Sequence, residues 1–433
     1  MRKSALAALA TGAAVTTIVI ATQHANAGGF AVREQSAVGQ GASFAGVAAG
    51  GGPSSMFWNP ATMTQFYGLS FESDLSIILP KVDQVGLNNT PSFLGFSGGL
   101  GNTGKDALVP ASYATWQLSD RFWVGLSVNS PFGLSVGFER PSWAGWFYAQ
   151  NTYLKTYNAT PSVAIKITDW LSVGAGLQIQ YAKADLNSAT GVIGFANPAI
   201  LNIHGNGWAW GWTAGATFTP TQTTQIGIGW RSQLDQDIDG TVRNAAGVTV
   251  GVDTTLKLPD IVSLGIRQGL TDRWRVMATV EWSHWSRIGT ATINGSNTLF
   301  GTNLTLPFQY SDGWFYSIGT EYIVNPRLTL RTGFGFETSP ITDDVRTPRL
   351  PDNDRYWASV GFTHAMTERL KLDFGYSYIW LKDTHIDITA ASGNPWFAGG
   401  QTYVGDVASH IHIFSLGVRY QLYDPPKPVI TKG

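Results

Sequence analysis

The sequence predicts an all-β fold: a transmembrane antiparallel β-barrel of about fourteen strands, with an N-terminal plug in its lumen. Three observations predict it. Segment after segment alternates apolar with polar or small residues, the period of a strand with two unlike faces. After the first 27 residues no apolar run reaches the roughly 20 residues that a spanning helix needs. Charged residues are only 13% of the chain while aromatics are 12%, with 17 Trp and 50 Gly, so something other than water touches much of the surface.

The first element is a targeting segment. Arg2 and Lys3 form a basic start, an apolar stretch runs from Ala5 to Ala21, and Ala25-Asn26-Ala27 is a small-residue cleavage site. Residues 1–27 are therefore expected to be removed, leaving Gly28 as the first residue. There is no cysteine, and 28 Lys+Arg stand against 29 Asp+Glu, which excludes a disulfide framework and a basic field for nucleic acid.

Residues 28–68 do not alternate. They carry Gly39, Gly41, Gly46 and Gly50-Gly51-Gly52, then Pro53 and Asn59-Pro60-Ala61, a stretch too short for a domain and too rich in glycine for a regular element. A barrel of this size leaves a lumen unless something fills it, and this segment is expected to fold inside as a plug. The competing reading is a periplasmic tail, against which stand the apolar anchors Phe30, Phe44, Phe57 and Trp58.

Residues 66–423 read as the barrel. Leu171, Val173, Ala175, Leu177, Ile179 and Tyr181 alternate with Ser172, Gly174, Gly176, Gln178, Gln180 and Ala182. Similar alternation runs from Leu372 to Trp380 and from Phe414 to Leu422. A soluble sandwich also alternates, but its outer face is rich in Lys, Glu and Thr, whereas here the second face is Gly, Ser and Gln. Trp170, Trp274, Trp282, Trp314, Tyr322 and Trp380 fall near strand ends, where an aromatic girdle meets the bilayer interface. Each unpaired backbone group in hydrocarbon costs several kcal/mol, so the strands must close. Strands are expected near 66–80, 106–118, 121–138, 152–168, 170–185, 206–219, 222–238, 251–270, 273–287, 311–323, 326–338, 354–365, 369–382 and 409–423. Short turns such as Thr168-Asp169 and Thr271-Asp272 belong on the periplasmic side and the long connections outside. Residues 424–433 are an extension beyond the last strand, which leaves Tyr420 or Tyr423 as the aromatic signal for the barrel-assembly machinery.

One strand is interrupted. Phe122, Val124, Leu126 and Val128 keep the outward face until Asn129-Ser130-Pro131-Phe132-Gly133 breaks it. Proline removes a ladder donor, so the segment is either a kink that opens a gap in the wall or an ordinary bulge near a strand end.

These residues resemble a known family. Gly28-Gly29-Phe30, the Gly39 to Gly46 stretch, Asn59-Pro60-Ala61, Gly205-Asn206-Gly207-Trp208 with Gly211-Trp212, Trp230-Arg231-Ser232, Leu258-Pro259-Asp260 and Trp282 to Ser286 look like the long-chain fatty acid transporters of the FadL/TodX type. The most specific match runs from Arg331-Thr332-Gly333 through Ser339-Pro340 to Pro351-Asp352-Asn353-Asp354-Arg355-Tyr356-Trp357. The resemblance implies a fourteen-stranded barrel in the bacterial outer membrane, plugged by a hatch whose Asn-Pro-Ala element lies against a kink in the third strand. It implies uptake of hydrophobic small molecules, fatty acids foremost, from a groove between loops into a pocket and then sideways through the gap into outer-membrane lipid. Neutral aromatic hydrocarbons or alkanes are the alternative cargo.

The residues assigned on that basis are Gly28, Gly29, Phe30, Asn59, Pro60 and Ala61 for the hatch, and Asn129, Ser130, Pro131, Phe132 and Gly133 for the lateral opening. Loop capture falls to Trp143, Trp146, Phe147, Val192, Ile193, Phe195, Ile200 and Leu201, unless these only pack over the barrel mouth. There is a departure: where the resemblance places two basic side chains for a carboxylate, this chain has Ser188 and Thr292. Arg231, Arg267, Arg275, Arg331 and Arg419 are inward candidates to replace them, though inward arginines also pair with Glu281, Glu321, Glu337 and Asp373.

No enzyme is expected. His284, His364 and His385 lie on scattered segments with no nucleophile beside them, and His410 with His412 makes an incomplete metal site. No cofactor or metal is expected, and no nucleotide-binding loop is present, so a gradient would drive transport. A general diffusion porin is the remaining alternative and would leave a water-filled lumen.

Overall fold

The computed structural model describes residues 28–89, 98–138, 143, 145–189, 200–244, 246–397 and 401–422. Among them, fourteen strands form one antiparallel barrel. In chain order these are β1 (Leu69–Asn89), β2 (Ala107–Ser119), β3 (Phe122–Asn129 and Gly133–Gly137), β4 (Asn151–Lys166), β5 (Leu171–Ala189), β6 (Ile200–Thr221) and β7 (Thr224–Arg231 and Leu234–Arg243). They continue with β8 (Thr249–Leu258 and Ile261–Gly269), β9 (Trp274–Ser283), β10 (Gly313–Asn325), β11 (Leu328–Glu337), β12 (Arg355–Ala365), β13 (Leu370–Leu381) and β14 (Tyr403–Gln421). Each pairs with the next, and β14 returns to β1 from Ser70↔Gln421 to Asn89↔Tyr403, which leaves no edge to satisfy in hydrocarbon.

The alternation sorts as the composition demands. Ile228, Leu264, Ile318, Phe334, Val360 and Leu416 face outward and exposed, while Ser263, Glu281, Glu321, Ser359, Asp373 and Ser415 on the same sheet face inward and are buried. Trp170, Trp274 and Tyr322 mark the end with the short turns; Trp230, Trp314, Tyr356 and Trp380 mark the end with the long loops.

Several expected strands differ in detail: the first runs on to Asn89, the last begins at Tyr403, and the one expected to 287 ends at Ser283. The segments read as 222–238 and 251–270 are each broken, between Arg231 and Leu234 and between Leu258 and Ile261, where Pro259 lacks a donor. The strand read as 206–219 begins at Ile200, so Ile200 and Leu201 belong to the wall and not to a free loop. Residues 423–433, including Tyr423, lie outside the described residues, as do residues 1–27 and Val192, Ile193 and Phe195.

Residues 28–66 pack against the inner wall and are almost wholly buried. Their regular structure is limited to single turns: α1 (Ala37–Gln40) and 3-10 turns at Val47–Ala49, Pro53–Phe57 and Pro60–Gln65. The close approach depends on glycines of the wall. A Cβ on Gly227 would fall 1.9 Å from the Ala48 carbonyl oxygen, on Gly229 1.8 Å from that of Trp58, and on Gly333 2.2 Å from that of Ala42. Gly227 and Gly229 of β7 and Gly333 of β11 are therefore places where the N-terminal segment rests on the wall.

Candidate functional site

The break in β3 is where wall and N-terminal segment meet. The Phe122–Asn129 part pairs with β2 up to Ser112↔Val128, whereas Gly133–Gly137 pairs with β4 and on its other side makes only a bridge from Val136 to Gly104, so Ala107–Ala111 of β2 face the break without a β3 ladder partner. The backbone groups freed there turn inward. Val32 N–H donates to the Pro131 carbonyl at 2.8 Å, Gly133 N–H donates to the Phe30 carbonyl at 2.9 Å, and Ala31 bridges Phe132. Gln35 adds an amide hydrogen bond to the Ser130 carbonyl at 2.9 Å, and Tyr113 O–H donates to the Gln35 carbonyl at 2.7 Å. The N-terminal segment thus completes the broken strand from inside, satisfying groups that hydrocarbon would leave bare.

Asn59-Pro60-Ala61 lies elsewhere. Asn59 is fully buried; its side chain accepts from Ala61 N–H at 3.0 Å and donates to the carbonyls of Ala48 at 2.8 Å and Ala216 at 2.9 Å. Gly174 of β5 and Gly215 of β6 touch this element, so Asn-Pro-Ala rests on β5 and β6, and the stretch against the third-strand break is Phe30–Gln35. Hydrogen bonding decides which stretch meets the break. Ala31 bridges Phe132 in strand-like pairing, which the capped Pro60–Gln65 turn cannot do.

Above the break lies a largely apolar cavity, lined by Leu134, Leu154, Leu186, Ile203, Ile238, Leu256, Phe308, Tyr310, Leu350 and Trp396. It shares Leu186, Ile203, Ile293, Leu306, Arg349 and Trp396 with an outer groove bordered by Phe147, Leu201, Phe300 and Leu304. Below it lies a smaller cavity lined by Val32, Phe57, Trp58, Pro131, Arg231, Leu234 and Phe315. Three rings stand between the two: Phe30 packs edge-on against Trp285 at 4.6 Å and Phe132 at 6.2 Å, and Phe132 meets Trp285 at 6.1 Å. One ring comes from the N-terminal segment, one from the β3 break and one from the β9–β10 connection.

The residues expected to capture cargo divide. Phe147 and Leu201 border the outer groove, and Trp146 is half-buried against the apolar cluster around the upper cavity. Trp143 is buried, stacked on Phe138 at 4.1 Å, with its N–H on the Ala149 carbonyl; it packs over the mouth and does not face outward.

The inward arginines pair mostly with carboxylates. Arg267, Arg275 and Arg331 converge on Glu321 at 2.6–2.8 Å, and Arg419 grips Asp373 at 2.6 Å. Among the described residues, the buried arginines without a carboxylate partner are Arg231 and Arg349. Arg231 lies over the Phe57 ring at 4.2 Å and bonds to Gln178 and the Phe57 carbonyl, tying the N-terminal segment to β5 and β7. Arg349 lines both the upper cavity and the outer groove. Its guanidinium donates to the Tyr148 carbonyl at 2.7 Å and to Thr152 Oγ1. Burial pulls its pKa down to about 10, with Tyr310 opposing, so it stays charged at neutral pH. Sequence reasoning missed Arg349 because it sits in the loop between β11 and β12, outside any strand pattern. The flanking Pro348 and Pro351 signalled only a rigid loop. Ser188 does border the outer groove.

Comparison with known proteins agrees with this architecture. The sequence matches the family described as outer membrane protein transport protein (OMPP1/FadL/TodX) over residues 18–422. It is 27% identical to outer membrane protein P1 of Haemophilus influenzae over 94% of this chain and 97% of that protein. It is 26% identical to the long-chain fatty acid transport protein of Escherichia coli O6:H1 over 84% and 90%. In fold it resembles a FadL homologue of Pseudomonas aeruginosa, with a TM-score of 0.80 at 23% identity over 92% of this chain and all of the other. It also resembles the toluene transporter TbuX of Ralstonia pickettii, with a TM-score of 0.64 at 18% identity over 90% of this chain and all of the other. A closed barrel with a lipid-facing apolar belt, joined to a family match across almost the whole chain, makes this protein a member of the OMPP1/FadL/TodX family of the outer membrane.

Proposed function

We propose that the protein takes up long-chain fatty acids. The outer groove gathers the molecule, the upper cavity holds its tail, the N-terminal segment acts as a hatch, and the β3 break is the lateral exit into lipid. No chemical step is involved. The observation that carries the reading is Arg349, a buried cation facing a mostly apolar cavity and making no ion pair with a carboxylate of the described chain; Asp253, also in the lining, takes Asn294 instead. A buried charge without a partner is costly, and a ligand carboxylate supplies the partner. A neutral hydrocarbon fits the apolar lining but leaves Arg349 unpaired. The relatives named for long-chain fatty acid transport support the same cargo.

The test is Arg349→Leu in purified protein, with palmitate and toluene binding measured side by side. Loss of a buried ion pair is worth about 2 kcal/mol or more, so palmitate affinity is expected to fall at least roughly 30-fold while toluene binding holds. Equal affinities for palmitate before and after the substitution would reject the anchor and leave hydrocarbon uptake as the function.

A further inference from the structure

The N-terminal end of the described chain lies in a nest of carboxylates. Gly28 is buried, and a Cβ on it would fall 2.4 Å from Glu337 Oε1 and 3.0 Å from Cδ. By bond geometry its nitrogen then lies within about 5 Å of that oxygen. The next amide, Gly29 N–H, donates to Asp352 Oδ2 at 3.1 Å. Glu337 is 6% exposed; its Oε1 takes Arg33 at 3.1 Å, and its Oε2 is buried with no hydrogen-bond partner among the described residues.

The direct ion pairs of this cluster leave a carboxylate short of a cation. Arg33 bridges Glu281 at 2.7 Å and Glu337, and Arg355 pairs with Asp352 at 2.5 Å, so three carboxylates share two guanidiniums in direct ion pairs; Arg231 lines the same cavity but is held on the Phe57 ring and Gln178. Glu34, also buried here, senses Arg33, Glu337 and Arg355, and burial raises its carboxyl to about 7, so near neutral pH it is partly ionised and can only add to the negative side. An excess buried anion is costly unless something pairs with it.

We propose that cleavage between Ala27 and Gly28 builds this site, the new α-ammonium of Gly28 pairing with Glu337 as the missing third cation. A leader protease adds water across the Ala27–Gly28 amide; Ala27 takes the carboxylate, and Gly28 keeps the nitrogen as an amine that is protonated near neutral pH. Before cleavage that nitrogen is an uncharged amide, so the latch exists only in the processed protein. Two residues on, Phe30 is one of the three rings between the cavities, so the latch holds the gate ring in register. The inference rests on the cleavage position and not on the identity of the cargo.

The experiment uses the mature protein extracted from the outer membrane in detergent, with its first residue established by intact mass. The α-amine is acetylated with N-hydroxysuccinimidyl acetate at pH 7, and the rate is read on the N-terminal peptide. Wild type is expected to label at least about tenfold more slowly than Glu337→Gln, in which the packing is kept and the charge is lost. A variant with one alanine inserted before Gly28 is expected to label at the fast rate with Glu337 intact, which keeps the test alive should Glu337→Gln fail to fold. Heat-modifiable migration on gels checks folding of both. A mature chain that starts elsewhere, or equal rates in wild type and the variants, would overturn the proposal.

Discussion

Asn59→Ala isolates what holds the N-terminal segment to the wall. The side chain is fully buried and makes three hydrogen bonds, to Ala48, Ala61 and Ala216, of which the last crosses to β6. Alanine removes all three and leaves two carbonyls and one N–H to find partners in a site too tight for them. A Cβ on Gly215 would already sit 2.2 Å from Asn59 Oδ1. At about 1 kcal/mol for each net bond, the local cost is about 3 kcal/mol, which raises the opening of this segment roughly 150-fold. Hydrogen exchange of amides 47–65 reads that opening directly, while the barrel amides of β9–β12 serve as the internal control. Asn59→Asp sharpens the test, because it keeps the acceptor for Ala61 N–H but sets a carboxylate against two carbonyls, so it should open at least as readily. Palmitate uptake should fall in both variants with gel migration unchanged. Exchange of residues 47–65 equal to wild type would refute the claim that this side chain pins the segment.

Three further outcomes follow from the same contacts. Gly227→Ala places a methyl within 1.9 Å of the Ala48 carbonyl and must displace the segment at a cost of roughly 1–3 kcal/mol, so planar-bilayer conductance should rise over wild type. Pro131→Ala supplies the ladder donor that β3 lacks and should lower uptake in a folded barrel; unchanged uptake here and in Asn59→Ala would reject lateral exit. Glu34, raised by burial from 4.5 to about 7, binds a proton in the folded segment that the unfolded one has lost. Its contribution is fully present below about 4.5 and is lost as pH rises through about 7, up to about 3 kcal/mol in all. Exchange at residues 30–40, corrected for intrinsic rate, should therefore quicken from pH 6 to 8 and flatten in Glu34→Gln.

The barrel is legible in the sequence because its cause is local. Alternation with period two, aromatics at strand ends and short turns such as Thr271-Asp272 are properties of neighbouring residues, and closure follows from the demand of hydrocarbon on every backbone group. Pro131 likewise announces a missing donor wherever the chain goes. Only the tertiary structure decided which distant groups meet. It set the freed β3 carbonyl on Val32 and moved Asn59 to β6. It turned Trp143 inward and spent Arg267, Arg275 and Arg331 on one glutamate while leaving Arg349 facing the cavity. A side chain's pattern tells which face of a strand it occupies; whether a charge on that face is paired depends on residues hundreds of positions away, and no local period carries that information.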